Sequence, residues 1–93
     1  MAYHTPAQKA HLTRVNKAAK VIALRLETAE SPQDVLEAFI AMRAEHRIPP
    51  AVLGDAYYML DTHPDRYRGS WHGLLRATRN TPEFGERLFA LWA

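Results

Sequence analysis

Three Ser/Thr-Pro pairs punctuate this chain: Thr5-Pro6, Ser31-Pro32 and Thr81-Pro82. A hydroxyl residue is a favoured helix N-cap, and proline is favoured at the first helical position, where its missing N–H costs nothing. Each pair therefore predicts a helix start. Gln8 and Asp34 fall three residues after their caps. Gln8 fits a capping box, and Asp34 adds favourable charge at a helix N-terminus. A fourth break, Ile48-Pro49-Pro50, ends one helix and opens the next, because a residue before proline avoids the α region. Fifteen Ala and ten Leu stand against four Val and three Ile, a composition that favours helix over strand. No stretch alternates with period two. The predicted class is all-α, a compact bundle of four to five short helices forming a single helical domain over residues 1–93.

The apolar spacing sets the expected faces. A first helix over residues 6–28 turns Leu12, Val15, Ala19, Ile22, Ala23 and Leu26 inward, with Lys9, Arg14, Lys17, Lys20 and Arg25 opposite. A second, over 32–47, buries Val35, Leu36, Phe39, Ile40 and Met42, with Ala41 facing away. A third, over 50–61, buries Val52, Leu53, Ala56, Tyr57, Met59 and Leu60 and exposes Gly54, Asp55, Tyr58 and Asp61. A turn-rich connector over 61–69 leads to a fourth helix over 70–79, with Trp71, Leu74, Leu75 and Thr78 inward. The last, from residue 82, points Phe84, Leu88, Leu91 and Trp92 inward.

Chemistry is sparse. The chain has no cysteine, which excludes disulfides and thiolate metal sites. Asp61, His63 and Asp65 share one loop with His72 not far along. Neither a tetrahedral zinc pattern nor a calcium loop is complete, so no metal or other cofactor is expected. There is no phosphate-binding glycine loop, nucleophile elbow or HExxH helix, and a bundle this small has little room for a water-excluding pocket. A non-enzymatic role is expected. No apolar run approaches a membrane span, and residues 1–6 lack a basic-then-apolar leader pattern, so the expected location is cytoplasmic.

Charge carries the functional expectation. Net charge is +2, and the basic excess lies toward both ends of the chain. A helix-turn-helix reader is disfavoured, since Asp55 and Asp61 on the exposed side of the third helix would be repelled by phosphates. Backbone contact fits better. His72, Arg76 and Arg79 follow one another at i, i+4 and i+7, preceded by the basic-aromatic-basic triplet of Arg66, Tyr67 and Arg68. Lys9, Lys17 and Lys20 supply a second strip. Cations with an interleaved aromatic suit phosphates and a stacked base, and the planar guanidinium binds phosphate oxygens in pairs. The expected function is a helical accessory protein that docks on a larger nucleoprotein complex and contacts nucleic acid without sequence preference. The alternative is a protein-interaction module, such as a phage- or plasmid-encoded inhibitor of a host complex. It would use the outward apolar residues Val21, Leu24, Tyr58 and Phe89, with Tyr3 ahead of the first cap. Self-association through the apolar C-terminal helix is a further expectation.

Overall fold

A computed structural model describes residues 5–93; Tyr3, and the part of the leader reading that rests on residues 1–4, lie outside them. The chain is an all-α bundle. Its helices are α1 (Pro6–Leu26), α2 (Pro32–Ala44), α3 (Pro50–Thr62), α4 (His72–Asn80) and α5 (Pro82–Ala90), with a 3₁₀ turn at Pro64–Tyr67 between α3 and α4.

The first two hydroxyl-proline pairs cap as expected. The Thr5 hydroxyl accepts from the Gln8 N–H at 3.2 Å, and the Thr5 N–H donates to the Gln8 side-chain oxygen at 2.8 Å, a complete capping box. The Ser31 hydroxyl accepts from the Asp34 N–H at 3.3 Å, and the Asp34 carboxylate accepts from the Glu30 N–H at 2.9 Å. Thr81 departs from the pattern. Its hydroxyl donates back to the Ala77 carbonyl at 2.8 Å and does not cap α5. Because α4 runs into Thr81 with almost no loop, the hydroxyl has a helical carbonyl within reach and closes the helix behind it.

Three helix boundaries move inward from their expected places, the first being the end of α1 at Leu26 rather than 28. α2 stops at Ala44 rather than 47, and Arg47 takes a left-handed conformation with φ 52°. The Ile48 N–H then returns to the Met42 carbonyl at 3.1 Å, which reverses the chain before the prolines. α4 starts at His72 rather than 70, because residues 68–71 are spent on a second reversal. There Arg68 is left-handed at φ 55°, and the Gly69 N–H donates to the Pro64 carbonyl at 3.0 Å. Gly69 lies so close to Pro64 that a Cβ would stand 2.6 Å from the proline ring. The left-handed region costs a non-glycine residue about 1–2 kcal/mol, which the surrounding turn bonds and packing offset.

One continuous core joins all five helices. Its fully enclosed side chains are Ile22 and Leu26 from α1, Val35, Leu36, Phe39 and Met42 from α2, Leu53 and Leu60 from α3, Leu75 from α4 and Leu88 from α5. Truncating any of the leucines to Ala would cost about 2–5 kcal/mol. Three assignments are corrected. Leu12 is 40% exposed, Ile40 is 36% exposed, and Ala41 is buried. α1, at 21 residues, is about 31 Å long, against about 20 Å for the 13-residue α2 and α3. Its first turns, residues 6–10, are exposed throughout, and Leu12 follows them with only part of its surface covered. In α2, which packs against α1, α4 and α5, the small Ala41 is enclosed and Ile40 lies at the edge of the buried face.

Trp92 closes the C-terminal end by lying on Gly54, where an added Cβ would sit 2.9 Å from the indole ring. Gly54 is thus covered rather than exposed. Phe39, Tyr57, Phe89 and Trp92 form an aromatic cluster with ring centroids 5.1–6.0 Å apart, edge-on and tilted geometries that add to burial.

Candidate nucleic-acid interface

The expected α4 strip is not a free cationic surface. His72, Arg76 and Arg79 all turn toward Asp61 near the end of α3. Arg79 donates to the Asp61 carboxylate at 2.7 Å, Arg76 lies 3.8 Å away, and the His72 Nε2–H reaches the Asp61 main-chain oxygen at 2.9 Å and its carboxylate at 3.3 Å. Asp61 itself, expected outside, has a side chain only 11% exposed. Its charge is met three times over, which makes the burial tolerable. Helical phase explains the arrangement. Trp71, Leu75 and Thr78 form the buried stripe of this segment, and His72, Arg76 and Arg79 each follow one residue later. They are rotated about 100° from the core, at its boundary, while the outermost positions belong to Gly73, Ala77 and Asn80. That phase is legible in the chain, and it locates these cations against a neighbouring helix.

The Tyr57 hydroxyl lies beside this cluster, one turn before Asp61. It is buried and makes no hydrogen bond of good geometry. Burial, then the Asp61 carboxylate, raise its pKa above the ordinary value, with Arg79 and Arg76 opposing.

The other basic residues collect around α1. α3 crosses beneath it, so the α2–α3 connection meets one flank and the 3₁₀ turn meets the other. On the second flank Arg66, Tyr67 and Arg68 form a cleft with Lys20, Leu24 and Glu27. Tyr67 is half-buried and packs against the core, while Arg66 and Arg68 remain exposed on either side of it. On the first flank Lys17 and Arg14 face Arg47 across a groove that includes Val21. Val21, 36% exposed, lines the first groove and Leu24, 66% exposed, lines the second cleft, both among these cations. Lys9 shares the face of Lys20 three turns upstream, in the exposed first turns and apart from both clefts.

Among the described residues, Lys9, Arg14, Lys17, Lys20, Arg47, Arg66 and Arg68 have no carboxylate within ion-pair distance; the pairs that form are His11–Asp55, Arg25–Glu45 and the Asp61 cluster. The structure thus joins the triplet to α1 and detaches α4 from both. Arg14 and Arg47 enter the surface without having been singled out, since only the fold brings residue 47 beside residue 14. The expected protein-binding set also divides. Val21 and Leu24 line the two clefts beside α1, whereas Tyr58 and Phe89 line a separate groove beside Trp92 and Gly54.

Among the described residues, no three His, Asp or Glu side chains gather as metal ligands, and no helix is long and apolar enough to cross a membrane. Comparison with protein-family models, curated proteins and solved structures finds no match to this chain.

Proposed function

We propose that this is a non-enzymatic helical accessory protein that docks on a nucleoprotein assembly, with the outer face of α1 against the nucleic-acid backbone. The observation that supports this reading is the clustering of unpaired cations along α1: Lys17 and Lys20 on its ridge, with Arg66 and Arg68 on one flank. Surface cations tied to carboxylates have little left for phosphate. Among the described residues these have no carboxylate within ion-pair distance, and releasing counterions from phosphates is the main source of sequence-independent affinity. Tyr67, between Arg66 and Arg68 in the chain, is half-buried against the core and so is not a free stacking platform. Backbone contact is therefore favoured over base readout. The α4 residues Arg76 and Arg79 have no part in it.

The test is a fluorescence-anisotropy titration with generic single- and double-stranded oligonucleotides at about 50 and 200 mM salt. Affinity should fall steeply with salt for both. In the triple variant Lys20→Ala/Arg66→Ala/Arg68→Ala the logarithmic salt slope on duplex should flatten by about 0.9 for each phosphate contact removed. Arg76→Ala should leave it unchanged. No binding at the lower salt, or an unaltered slope in the triple variant, would refute the reading.

A further inference from the structure

The groove on the first flank of α1 differs from the basic cleft on the second. Its floor is aliphatic, made by Val21, Ile48, Pro49 and Val52, and it has a volume of about 280 Å³. The charged and titratable side chains around it are Arg14, Lys17, Arg47 and His46, all basic, and no carboxylate lines it. Arg14, Lys17 and Arg47 have no ion-pair partner among the described residues.

We infer that this groove receives an acidic, apolar segment of a partner protein, with one or two aliphatic or aromatic side chains on the Val21–Ile48–Val52 floor and flanking Asp or Glu side chains on Arg14, Lys17 and Arg47. The chemistry selects the occupant. A nucleic-acid backbone would pair the rim cations but leave the aliphatic lining against phosphate and water. A basic or neutral segment would leave the rim charges unmatched. An acidic segment fills the apolar floor and pairs the rim at once, and such complementarity sets both orientation and encounter rate. The groove is open on one side and smaller than the usual small-molecule pocket, which suits side chains projecting from a strand or helix laid across α1. The left-handed turn at Arg47 builds one wall: it turns the chain back toward α1 and leaves Arg47 exposed opposite Arg14. The inference goes beyond the nucleic-acid reading: the two clefts lie on different flanks of α1 and share only Lys17 as a proposed contact, so Arg14 and Arg47 distinguish one from Arg66 and Arg68 of the other. A chain with both would bridge a nucleic acid and an acidic protein partner.

The experiment is selection of a random displayed peptide library on the immobilised full-length protein, followed by anisotropy titration of the enriched peptides. Enriched sequences should carry an apolar residue flanked by Asp or Glu. Arg14→Glu/Arg47→Glu should weaken their binding at least about tenfold, the scale of losing two charge pairs. The control pair Arg66→Glu/Arg68→Glu should change it far less. Both pairs alter exposed residues without ion-pair partners, and a thermal melt checks that each variant folds. If the reversal variant does not fold, Arg14→Ala/Arg47→Ala carries the same direction of effect. Selection without an acidic consensus, or equal weakening by the control pair, would each overturn the inference. Loss of oligonucleotide binding in the Lys20/Arg66/Arg68 variant with peptide binding intact would separate the two surfaces.

Discussion

Replacing Asp61 by Asn tests how α3 and α4 are held together. The change keeps size and shape while removing the charge that His72, Arg76 and Arg79 share. Asn also presents an NH2 group where the site is already rich in donors, so one of them must point at another. The bond at stake is the charge-assisted one from Arg79 at 2.7 Å, a type worth about 1.5–3 kcal/mol. The Arg79 side chain is 27% exposed, so water recovers part of the loss, and a net cost of about 2 kcal/mol follows. For a domain of this size each kcal/mol lowers the melting temperature by about 4–8 °C, so Asp61→Asn should melt about 8–16 °C below the parent. Arg79→Ala should cost about 1–2 kcal/mol. Arg76→Ala should cost under about 0.5 kcal/mol, since Arg76 is 56% exposed and 3.8 Å away. The double variant Asp61→Asn/Arg79→Ala should lose clearly less than the sum of its parts, because both changes break one contact. Thermal and urea unfolding followed by circular dichroism measure all four proteins. A melting temperature for Asp61→Asn within about 3 °C of the parent, or equal costs for Arg76→Ala and Arg79→Ala, would refute the reasoning.

Tyr57→Phe removes a buried hydroxyl that makes no hydrogen bond of good geometry among the described residues, and stability should hold or rise by up to about 1 kcal/mol. Because the folded Tyr57 pKa is raised above 10.0, its contribution is present below that value and is lost as pH rises through the folded pKa. Melts at about pH 9 and about pH 11 should therefore show a smaller alkaline loss in Tyr57→Phe than in the parent. Gly85→Ala should destabilise by about 1–3 kcal/mol, because its Cβ would meet the Arg79 carbonyl oxygen and force the α4–α5 corner apart; an unchanged urea midpoint would contradict that packing. Ser31→Ala should cost about 1 kcal/mol through its lost N-cap, whereas Thr81→Ala should cost only a few tenths, since the Thr81 hydroxyl caps no N–H of α5. Equal costs at the two positions would mean that Thr81 caps α5 after all.

The differing fates of Thr5, Ser31 and Thr81 show how far local reading reaches. A cap is a contact within three residues, so the Thr5–Gln8 and Ser31–Asp34 bonds are written in adjacent positions. Thr81 carries the same dipeptide, yet its hydroxyl is drawn backward because another helix ends on it. The apolar faces behave alike. Val15, Ile22, Phe39 and Leu53 follow their period into the core, while Leu12 follows the same period and stays 40% exposed, next to the exposed first turns of α1. The candidate surface was legible only in pieces. Lys17, Lys20, Arg66 and Arg68 stand out as cations with an aromatic among them, but nothing local joins residue 20 to residue 66.

The order of residues by itself determined that this chain is helical, where its four proline-opened helices begin, and which face of each helix is chiefly apolar. Those properties arise from backbone dihedrals, hydrogen bonds three or four residues apart and the 3.6-residue period. Only the tertiary structure decided which charges remain available. Whether an arginine meets a phosphate or an aspartate depends on a partner many positions away: Arg79 on Asp61, which neutralises it, and Arg47 beside Arg14, which does not. The crossing of α3 beneath α1 made that division, leaving cations without partners on both flanks of α1 and tying those of α4 to a single carboxylate.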